Sequence, residues 1–506
     1  MHNGSESFFA LQSFSKKTLK PFALDFDPRK PNALAVLDDF SIKSFASVLN
    51  LWLVSPDRGW LDLDKIPIDF LLVESAWSGN FGRWKYMVTS SSGPKPPLVK
   101  LIQECKKRGI PTVFWNKEDP PHFKEFSMTA RLFDYIYTSD SAMIEKYEEI
   151  APESHVDMLA FAASPNLHNP SRSNSKPLKD VAFAGQFFAH KFPERRKQME
   201  ILFPAAAEYD FEIYSRALGG DPRYQFPQPY SDKVVGSLPY EKMVRTYNDY
   251  KVFLNVNSVV DSQTMCARRV FELAACKTAV FGLESDAIRS VFSADEVLLA
   301  HDETDVREKL KMLVEDDEYR ERLCQSAWRK VLSGHTYEHR VNKILRALGK
   351  ESRSDLVTLV VTSVREEFPL SKRWLDQFIG AQIITRTGNI EWVADCEKLD
   401  NPTGDVFWLA LDPGVEYGPL YVFDLILALS QQDCDVVAKG QDGKKEQYVD
   451  FWPNRGWLAK YRVLSESSET GNQRQWPNDL RKLKIYLSDD FEVNGKNLSL
   501  KGDGNI

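Results

Sequence analysis

The most constraining feature of this sequence is an alternation of short apolar runs with amphipathic stretches, which occurs twice along the chain. Between residues 32 and 174 the apolar runs lie at 33–37, 70–73, 111–115, 135–137 and 157–161. Runs of this length, bounded by charged or turn-forming residues, are typical of buried strands. Residues 97–108, which lie between two of the runs, have the apolar spacing of a helix. Strands that alternate with helices form βαβ units with parallel strands, so this part of the chain is predicted to be an α/β domain.

The alternation begins again after residues 170–177, a serine-rich linker that is bracketed by prolines. The apolar runs of this second part predict strands at 180–184, 211–214, 251–256 and 278–281. Helices are predicted at 195–208, at 268–276 and over most of 318–349. We therefore predict one α/β domain over 1–175 and another over 176–350.

A second boundary is predicted at 349–354, which leaves a shorter third segment. Apolar runs predict strands at 356–362 and 407–411, and 420–429 is predicted to be a helix. We expect a smaller α/β domain over 354–490. The tail at 491–506 contains many Asn, Gly and Asp residues and is expected to be flexible.

Composition excludes several classes of protein. The 65 Lys and Arg residues stand against 72 Asp and Glu, and a net charge of −7 does not favour a nucleic-acid partner. The six cysteines lie far apart without a Cys-x-x-Cys pair, and no His/Cys grouping has the spacing of a metal site. We find no signal-peptide pattern and no apolar run of about 18 residues. The sequence thus predicts a soluble cytoplasmic protein with no metal site and no membrane span.

In α/β folds ligands bind at the carboxyl edge of the strands, so the loops that follow strands are the places to look for chemistry. The loop after 111–115 contains Glu118, Asp119 and His122, and two prolines stiffen it. These side chains have the chemistry of a general base or of a site that holds hydroxyl groups. The alternative interpretation is a solvated surface turn.

The second predicted domain contains a group of residues suited to a diphosphate. Gly185 ends its first strand, where a glycine lets a diphosphate approach the backbone, and Arg195 begins the next helix. The helix at 268–276 carries Arg268, Arg269 and Glu272.

Two interpretations of that helix are available. The simpler one is an intrahelical ion pair, worth about 0.2–0.5 kcal/mol. The functional one places the guanidinium groups and the helix N-terminus on a diphosphate, with Glu272 on ribose hydroxyls. We favour the functional interpretation, chiefly because of a family resemblance.

Several motifs together resemble the spore-maturation-type (CgeB-like) glycosyltransferases. They are Leu254-Asn-Val-Asn257 followed by Arg268-Arg-Val-Phe-Glu-Leu-Ala-Ala-Cys276, Phe114-Trp-Asn-Lys-Glu-Asp-Pro120, Leu159-Ala-Phe-Ala162, and His335-Thr-Tyr337 with His339-Arg340. The resemblance implies a GT-B fold, in which two Rossmann-like domains with parallel sheets clasp a nucleotide-sugar donor. The donor lies mainly on the second domain of such a fold, and the first domain supplies acceptor groups.

Carried over to this chain, the resemblance implies that Gly185, Arg268, Arg269 and Glu272 hold the nucleotide diphosphate. It implies that the loop with Glu118 and Asp119 faces the transfer site. Such folds usually need no bound metal, because arginines and a helix terminus offset the charge of the leaving diphosphate.

The sequence departs from the family pattern at two positions near this helix. Many retaining GT-B enzymes have a glutamate eight positions before Glu272, where this chain has Thr264. We expect Thr264 to lie at the donor site, where it cannot supply the carboxylate of that glutamate. Lys277 stands where the family commonly has glycine, and a left-handed lysine there would be strained.

The third segment resembles a GT-A-like domain that is sometimes appended to these enzymes. A GT-A site needs clustered carboxylates to bind a divalent cation, and this chain keeps Asp412 and a displaced Glu416. We predict a degenerate, catalytically silent domain that acts in packing, in acceptor guidance or in contacts between subunits.

The leading hypothesis is a glycosyltransferase that moves a sugar from a nucleotide-diphosphate sugar, most commonly a UDP-sugar, to a hydroxyl of a glycan or protein. No tightly bound cofactor is expected. One alternative is a non-catalytic carbohydrate- or protein-binding scaffold derived from such an enzyme. Another is a transferase that acts on modified DNA bases, which would need a basic groove.

Overall fold

A computed structural model of the 506-residue chain describes residues 26–57, 63–89, 93–171 and 177–350. Beyond residue 350 it describes 357–363, 390–394, 405–411, 421–432, 434, 436–438, 447–449, 457–460 and 485–487. The described residues of Met1–His168 and Pro177–Lys350 form one compact unit, and those of Asn169–Lys176 and Glu351–Ile506 form another. We refer to the two parts of the first unit, up to residue 168 and from residue 177, as the first and second regions.

Each region of the first unit contains a six-stranded, fully parallel sheet. The strands of the first sheet are β1 (Asn32–Val36), β2 (Asn50–Leu53), β3 (Phe70–Glu74), β6 (Thr112–Asn116), β7 (Tyr135–Thr138) and β8 (His155–Met158). They lie in the order β2-β1-β3-β6-β7-β8. Between β3 and β6 the chain forms a small antiparallel ribbon from β4 (Ser78–Gly79) and β5 (Trp84–Lys85).

The second sheet has the order β11-β10-β9-β12-β13-β14. Its strands are β9 (Lys179–Gly185), β10 (Phe211–Ser215), β11 (Val234–Gly236), β12 (Tyr250–Leu254), β13 (Ala279–Leu283) and β14 (Leu298–Ala300). The α/β fold class with two Rossmann-like parallel sheets is thereby confirmed.

Helices connect the strands, as expected for parallel sheets. In the first region they are Asp39–Phe45, Pro96–Lys107, Phe123–Ala130 and Ile144–Ile150. In the second region they are Pro193–Ala206, Tyr240–Tyr247, Arg268–Ala275, Asp286–Arg289, Glu303–Glu315, Asp317–Gly334 and Tyr337–Ala347. Short 3-10 turns occur at Leu63–Lys65, Ser141–Met143, Pro222–Tyr224 and Tyr230–Lys233. None of the helices described is long and apolar enough to cross a membrane.

The helical stretch predicted at 318–349 is two helices that are separated at His335 and Thr336. The His335 carbonyl accepts a hydrogen bond from the Ala163 amide, 2.9 Å away, so the chain leaves the helical path to pair with the first region. The Thr336 hydroxyl lies 2.7 Å from His339 Nδ1, in a capping box at the start of the helix Tyr337–Ala347. The pairing with the first region therefore interrupts a segment that the sequence predicts to be mostly helical.

One cluster of buried apolar side chains is shared by both sheets, and each region has a further cluster of its own. Trp115 of the first sheet and Phe253 of the second belong to the same cluster of buried side chains, together with Phe271 from the helix between β12 and β13. The helix Tyr337–Ala347 adds Tyr337, whose ring packs edge-on against Phe45 with 4.8 Å between ring centroids. Apolar burial, at roughly 25 cal/mol per Å², therefore holds the two sheets together. The predicted domain boundary at 175/176 stays a prediction.

The second unit contains a mixed seven-stranded sheet in the order β16-β15-β17-β20-β18-β21-β19. Its strands are β15 (Val357–Ser363), β16 (Ile390–Ala394), β17 (Asp405–Leu411), β18 (Val436–Ala438), β19 (Gln447–Val449), β20 (Trp457–Lys460) and β21 (Ile485–Leu487), and its helix is Tyr421–Gln431. The two strands and the helix predicted from the sequence are confirmed. Asp412, Glu416 and the tail at 491–506 lie outside the described residues, so the catalytic silence of this unit stays a prediction.

Candidate functional site

Four arginines gather at the carboxyl edge of the second sheet, and we call them the arginine cluster: Arg195, Arg216, Arg268 and Arg269. Arg216 directly follows β10 and is exposed, and its backbone amide donates to the carbonyl of Gly185 at the end of β9. Arg269 donates to the Ala184 carbonyl beside it. Arg195 donates to the Val256 carbonyl after β12, at 2.8 Å. Three adjacent strand ends therefore bring together side chains that are up to 74 positions apart in the sequence.

The charges of the arginine cluster act on one another. Burial and the charges of Arg269 and Arg216 lower the pKa of Arg195 to about 10. Partial burial and the charges of Arg269 and Arg268 likewise lower the pKa of Arg216, while the carboxylate of Glu118 opposes that shift. Arg195 and Arg216, whose pKa values are lowered by neighbouring guanidinium charges, are therefore held there at a cost in free energy, whereas the carboxylate of Glu272 raises the pKa of Arg268. A bound anion would remove that cost.

Several N–H groups of the cluster also lack an acceptor. Arg195 Nε, Arg268 Nη1 and Arg269 Nε are buried, and none has a hydrogen-bond partner among the described residues. A buried donor without an acceptor costs about 1–3 kcal/mol. Phosphate oxygens are good acceptors for guanidinium groups, because the donor fork matches their geometry. The unpaired donors and the excess positive charge therefore both indicate an anionic ligand such as a phosphate group.

Glu272 is fully buried and is bound by protein side chains. Its carboxylate accepts from Tyr240 Oη at 2.7 Å and from Tyr247 Oη at 3.1 Å, and Arg268 Nε lies 3.0 Å away. Burial alone would raise the pKa of Glu272, but Arg268 and the other partners hold it below its usual value. The intrahelical ion pair is thus present, and the ribose contact of Glu272 stays a prediction.

His168 extends this network from the first region. Burial lowers the pKa of His168 to about 4, so the imidazole is neutral at physiological pH. Its Nδ1 accepts from the Ser164 amide at 2.9 Å, which leaves the proton on Nε2, 2.8 Å from Tyr240 Oη. Tyr240 in turn donates to Glu272. The orientation of Arg268 is therefore fixed by a chain of buried hydrogen bonds.

Gly185 and Thr264 contact protein groups. A Cβ at Gly185 would lie 2.6 Å from the Phe183 ring, so close packing alone accounts for glycine there. Thr264 Oγ1 accepts from the Ser141 amide at 2.8 Å and lies 3.2 Å from Ser141 Oγ. Thr264 thus joins the loop after β12 to the loop after β7 of the first sheet, and the donor-site roles of both residues stay predictions.

The three residues predicted from the loop after β6 have different surroundings. Glu118 is half-buried, and its charge reaches Arg216 across the gap between the two sheets. Asp119 is fully buried, and His122 lies half-buried, with Nδ1 3.4 Å from Glu125 Oε1. Of the three, Glu118 is the one that the structure brings to the arginine cluster.

The carboxylate of Asp119 is enclosed by groups of its own region. It accepts from Thr138 Oγ1 at 2.6 Å, from Asn116 Nδ2 at 2.8 Å and from Tyr147 Oη at 3.1 Å. Burial raises the pKa of Asp119 to about 7, although the hydroxyl donors of Thr138 and Tyr147 oppose the shift. A pKa near neutrality suits a general base, but the folded chain shields this carboxylate from solvent. Its catalytic role stays a prediction.

This raised pKa predicts how stability changes with pH. In the unfolded chain Asp119 releases its proton near pH 4, whereas in the folded chain it does so near pH 7. The folded state therefore binds one more proton in this window, and its stability falls as the pH rises from about 4 to about 7. Relative to Asp119→Asn, the wild type should lose about 3–4 kcal/mol between those pH values. Urea unfolding of both proteins at pH 4.5 and pH 8 measures this, and a pH-independent difference would contradict it.

Two features of the site are not among the residues that the sequence predicts for it. One is Arg216, and the other is a group of three side chains at the carboxyl edge of the first sheet: Asp38, Glu74 and Lys117. In the sequence, only the position of these four residues relative to the strands marks them as candidates. Each lies at or just after the end of a strand, where α/β folds bind their ligands.

Among the described residues, no three His, Cys, Asp or Glu side chains lie together as a metal ion would require. The described cysteines form no disulfide.

The segment that holds the arginine cluster matches a known protein family. A family model described as "Glycosyl transferase-like" matches residues 195–346. All four arginines of the cluster and Glu272 lie within the matched residues. No curated protein matches the sequence.

Several solved structures match this chain remotely. HepE of Anabaena in complex with UDP is 13% identical, with a TM-score of 0.40 over 63% of this chain and 91% of HepE. Sucrose-phosphate synthase of Thermosynechococcus elongatus is 14% identical, with a TM-score of 0.38 over 63% of this chain and 99% of the synthase. A BGT mutant of T4 phage in complex with UDP-glucose is 14% identical, with a TM-score of 0.37 over 62% and 96%. These are remote likenesses of fold.

Proposed function

We propose that this chain transfers a sugar from a nucleotide-diphosphate sugar to a hydroxyl group of a glycan or protein. The observation that carries the proposal is the arginine cluster. It lies at the carboxyl edge of a Rossmann-like sheet, inside the glycosyltransferase-like segment, and it has unpaired N–H donors and mutually repelling charges. Those are the properties of a site for a polyanion.

The cluster also suits the chemistry of the transfer. When the bond between the anomeric carbon and the diphosphate breaks, negative charge develops on the departing oxygen. Guanidinium groups that are already in place stabilise that charge without reorganisation. The helix Arg268–Ala275 starts at the same place without a side-chain cap, so its N-terminus adds positive potential. We propose that these groups take the place of a divalent cation.

The donor occupies the second region in this proposal, and the acceptor approaches from the first. Glu118 is the first-region carboxylate whose charge already reaches Arg216. UDP is the first nucleotide to test, because it is the most common carrier of activated sugars.

The purified chain tests the proposal when it is incubated with UDP-, GDP-, CDP- and dTDP-sugars, with and without EDTA. We expect one nucleoside diphosphate to raise the melting temperature of the chain. We also expect the chain to release that nucleoside diphosphate from the corresponding sugar donor, at a rate that EDTA does not change. A ligand at about 100 times its Kd stabilises the folded state by about 2.7 kcal/mol, which a melting curve resolves. Binding without release from any donor would favour a non-catalytic scaffold, and no binding of any nucleotide would contradict the proposal.

A further inference from the structure

The carboxyl edge of the first sheet carries a cluster of three charged side chains, which we call the Asp38 cluster: Asp38, Glu74 and Lys117. Asp38 follows β1, Glu74 ends β3 and Lys117 follows β6, and these strands are neighbours in the sheet. Lys117 Nζ lies 2.6 Å from Asp38 Oδ2 and 3.1 Å from Glu74 Oε1. One buried ammonium group therefore holds two carboxylates together.

Asp38 has an unusual role at its position. It precedes the helix Asp39–Phe45, where an aspartate side chain normally accepts a hydrogen bond from the first helical turn. Asp38 makes no such bond, and its carboxylate is bound to Lys117. About 24% of the Asp38 side chain is exposed, against 2% of Lys117 and none of Glu74. Of the three groups, Asp38 is therefore the one that a ligand can reach.

Glu74 lies behind Asp38 and is incompletely paired. Its Oε1 accepts from the Asp38 amide and from Lys117 Nζ. Oε2 has no well-formed hydrogen bond among the described residues, although the nearby Ser41 hydroxyl helps to lower the pKa of Glu74. Burial raises the pKa of Glu74, although the ammonium group of Lys117 opposes the shift. A buried ion pair with an unsatisfied oxygen is a poor device for stability alone. This arrangement points to a role beyond stability.

Phe40 places this cluster next to the arginine cluster. The Phe40 ring centroid lies 4.0 Å from Lys117 Nζ and 3.9 Å from Arg268 Cζ. The same ring contacts Tyr240 edge-on at 6.3 Å between centroids. A single aromatic side chain therefore separates the charged edge of the first sheet from the charged edge of the second.

We propose that Asp38 is the base that accepts the proton of the acceptor hydroxyl, and that Lys117 and Glu74 are positioning residues for its carboxylate. This inference rests on the proposed function. The hydroxyl oxygen bonds to the anomeric carbon as its proton passes to Asp38. The bond from that carbon to the diphosphate oxygen breaks, and its electron pair leaves with the diphosphate toward the arginine cluster. Water, as the simplest hydroxyl, is activated in the same way.

The test compares Asp38→Asn with wild type, with Asp39→Asn, the adjacent exposed carboxylate, as the matched control. The reaction is release of the nucleoside diphosphate from the donor that gives turnover, with water as acceptor. A general base contributes about 10²–10⁴-fold. Asp38→Asn should therefore slow release at least about 100-fold while the Kd of the free nucleotide changes less than about threefold. Asp39→Asn should stay within about threefold of wild type in both.

Glu74→Gln tests the positioning role by its kinetic signature. We expect kcat to fall about tenfold with the donor KM unchanged, while the number of nucleotide sites per chain stays that of wild type, a number that a general loss of folding would lower. The inference is overturned if Asp38→Asn releases nucleotide within tenfold of wild type from a donor that wild type turns over. Failure of the proposed function is distinct, because wild type would then release no nucleoside diphosphate from any donor.

Discussion

Replacing Arg216 with alanine is expected to weaken UDP binding by about 10- to 100-fold. Arg216 is the exposed member of the arginine cluster, and its charge meets those of Arg268 and Arg269. A charge-assisted hydrogen bond contributes about 1.5–3 kcal/mol, and each 1.4 kcal/mol is a factor of ten in affinity. Isothermal titration calorimetry of both proteins with UDP measures the change.

Arg223→Ala is the matched control for this substitution. Arg223 lies in the same loop after β10 and is largely exposed, but it is paired with Asp221, 2.6 Å away. Its removal deletes the same charge from the same loop, so UDP affinity should change less than about twofold. Equal losses in the two variants would mean that the nucleotide responds only to net charge, which would contradict a built site at Arg216.

Replacing Glu272 with alanine is expected to lower the free energy of unfolding by about 3–5 kcal/mol, the usual cost of breaking a buried ion pair. The substitution leaves the Arg268 guanidinium without its carboxylate and removes the acceptor of the Tyr240 and Tyr247 hydroxyls. Urea unfolding followed by tryptophan fluorescence measures the loss. Glu272→Gln should cost less, because the amide oxygen still accepts a hydrogen bond.

Glu241→Ala provides the comparison for Glu272. Glu241 pairs with Lys43 across the two regions, but its side chain is 46% exposed. Exposed ion pairs contribute about 0–1 kcal/mol, so this substitution should have little effect on unfolding. A cost below about 1 kcal/mol for Glu272→Ala as well would show that the buried network does not stabilise the second region.

The sequence was sufficient to predict both parallel sheets, because their central strands are apolar runs bounded by turn residues. It did not predict β2, β11 and β14, which lie at or near sheet edges and have three or four residues each. Strands this short carry too few residues for a periodic pattern. Their pairing is decided by neighbours that are distant in the sequence.

The site was partly predictable for a similar reason. Arg268, Arg269 and Glu272 share one helix after one strand, so local spacing was enough to group them. Arg216 joins them only through the order of the strands in the sheet. Asp119 shows a further limit, since it adjoins Glu118 in sequence but is enclosed by Thr138 and Tyr147.

Lys277 adopts the left-handed conformation, in which a lysine is expected from the sequence analysis to be strained. Its φ is +53°, in the left-handed region where glycine is favoured, directly after the C-cap of the helix Arg268–Ala275. Its Nζ lies 4.4 Å from the centroid of the Trp328 ring, a cation–π contact that offsets part of the backbone cost.

Titration of inorganic pyrophosphate into the purified chain tests most directly whether the arginine cluster is a diphosphate site, because this probe needs neither the correct base nor the correct sugar. We expect one site, binding at least about tenfold tighter than for orthophosphate, and competition with UDP. The double variant Arg216→Ala/Arg269→Ala should lose this binding. Equal pyrophosphate binding by wild type and the double variant would contradict the diphosphate site.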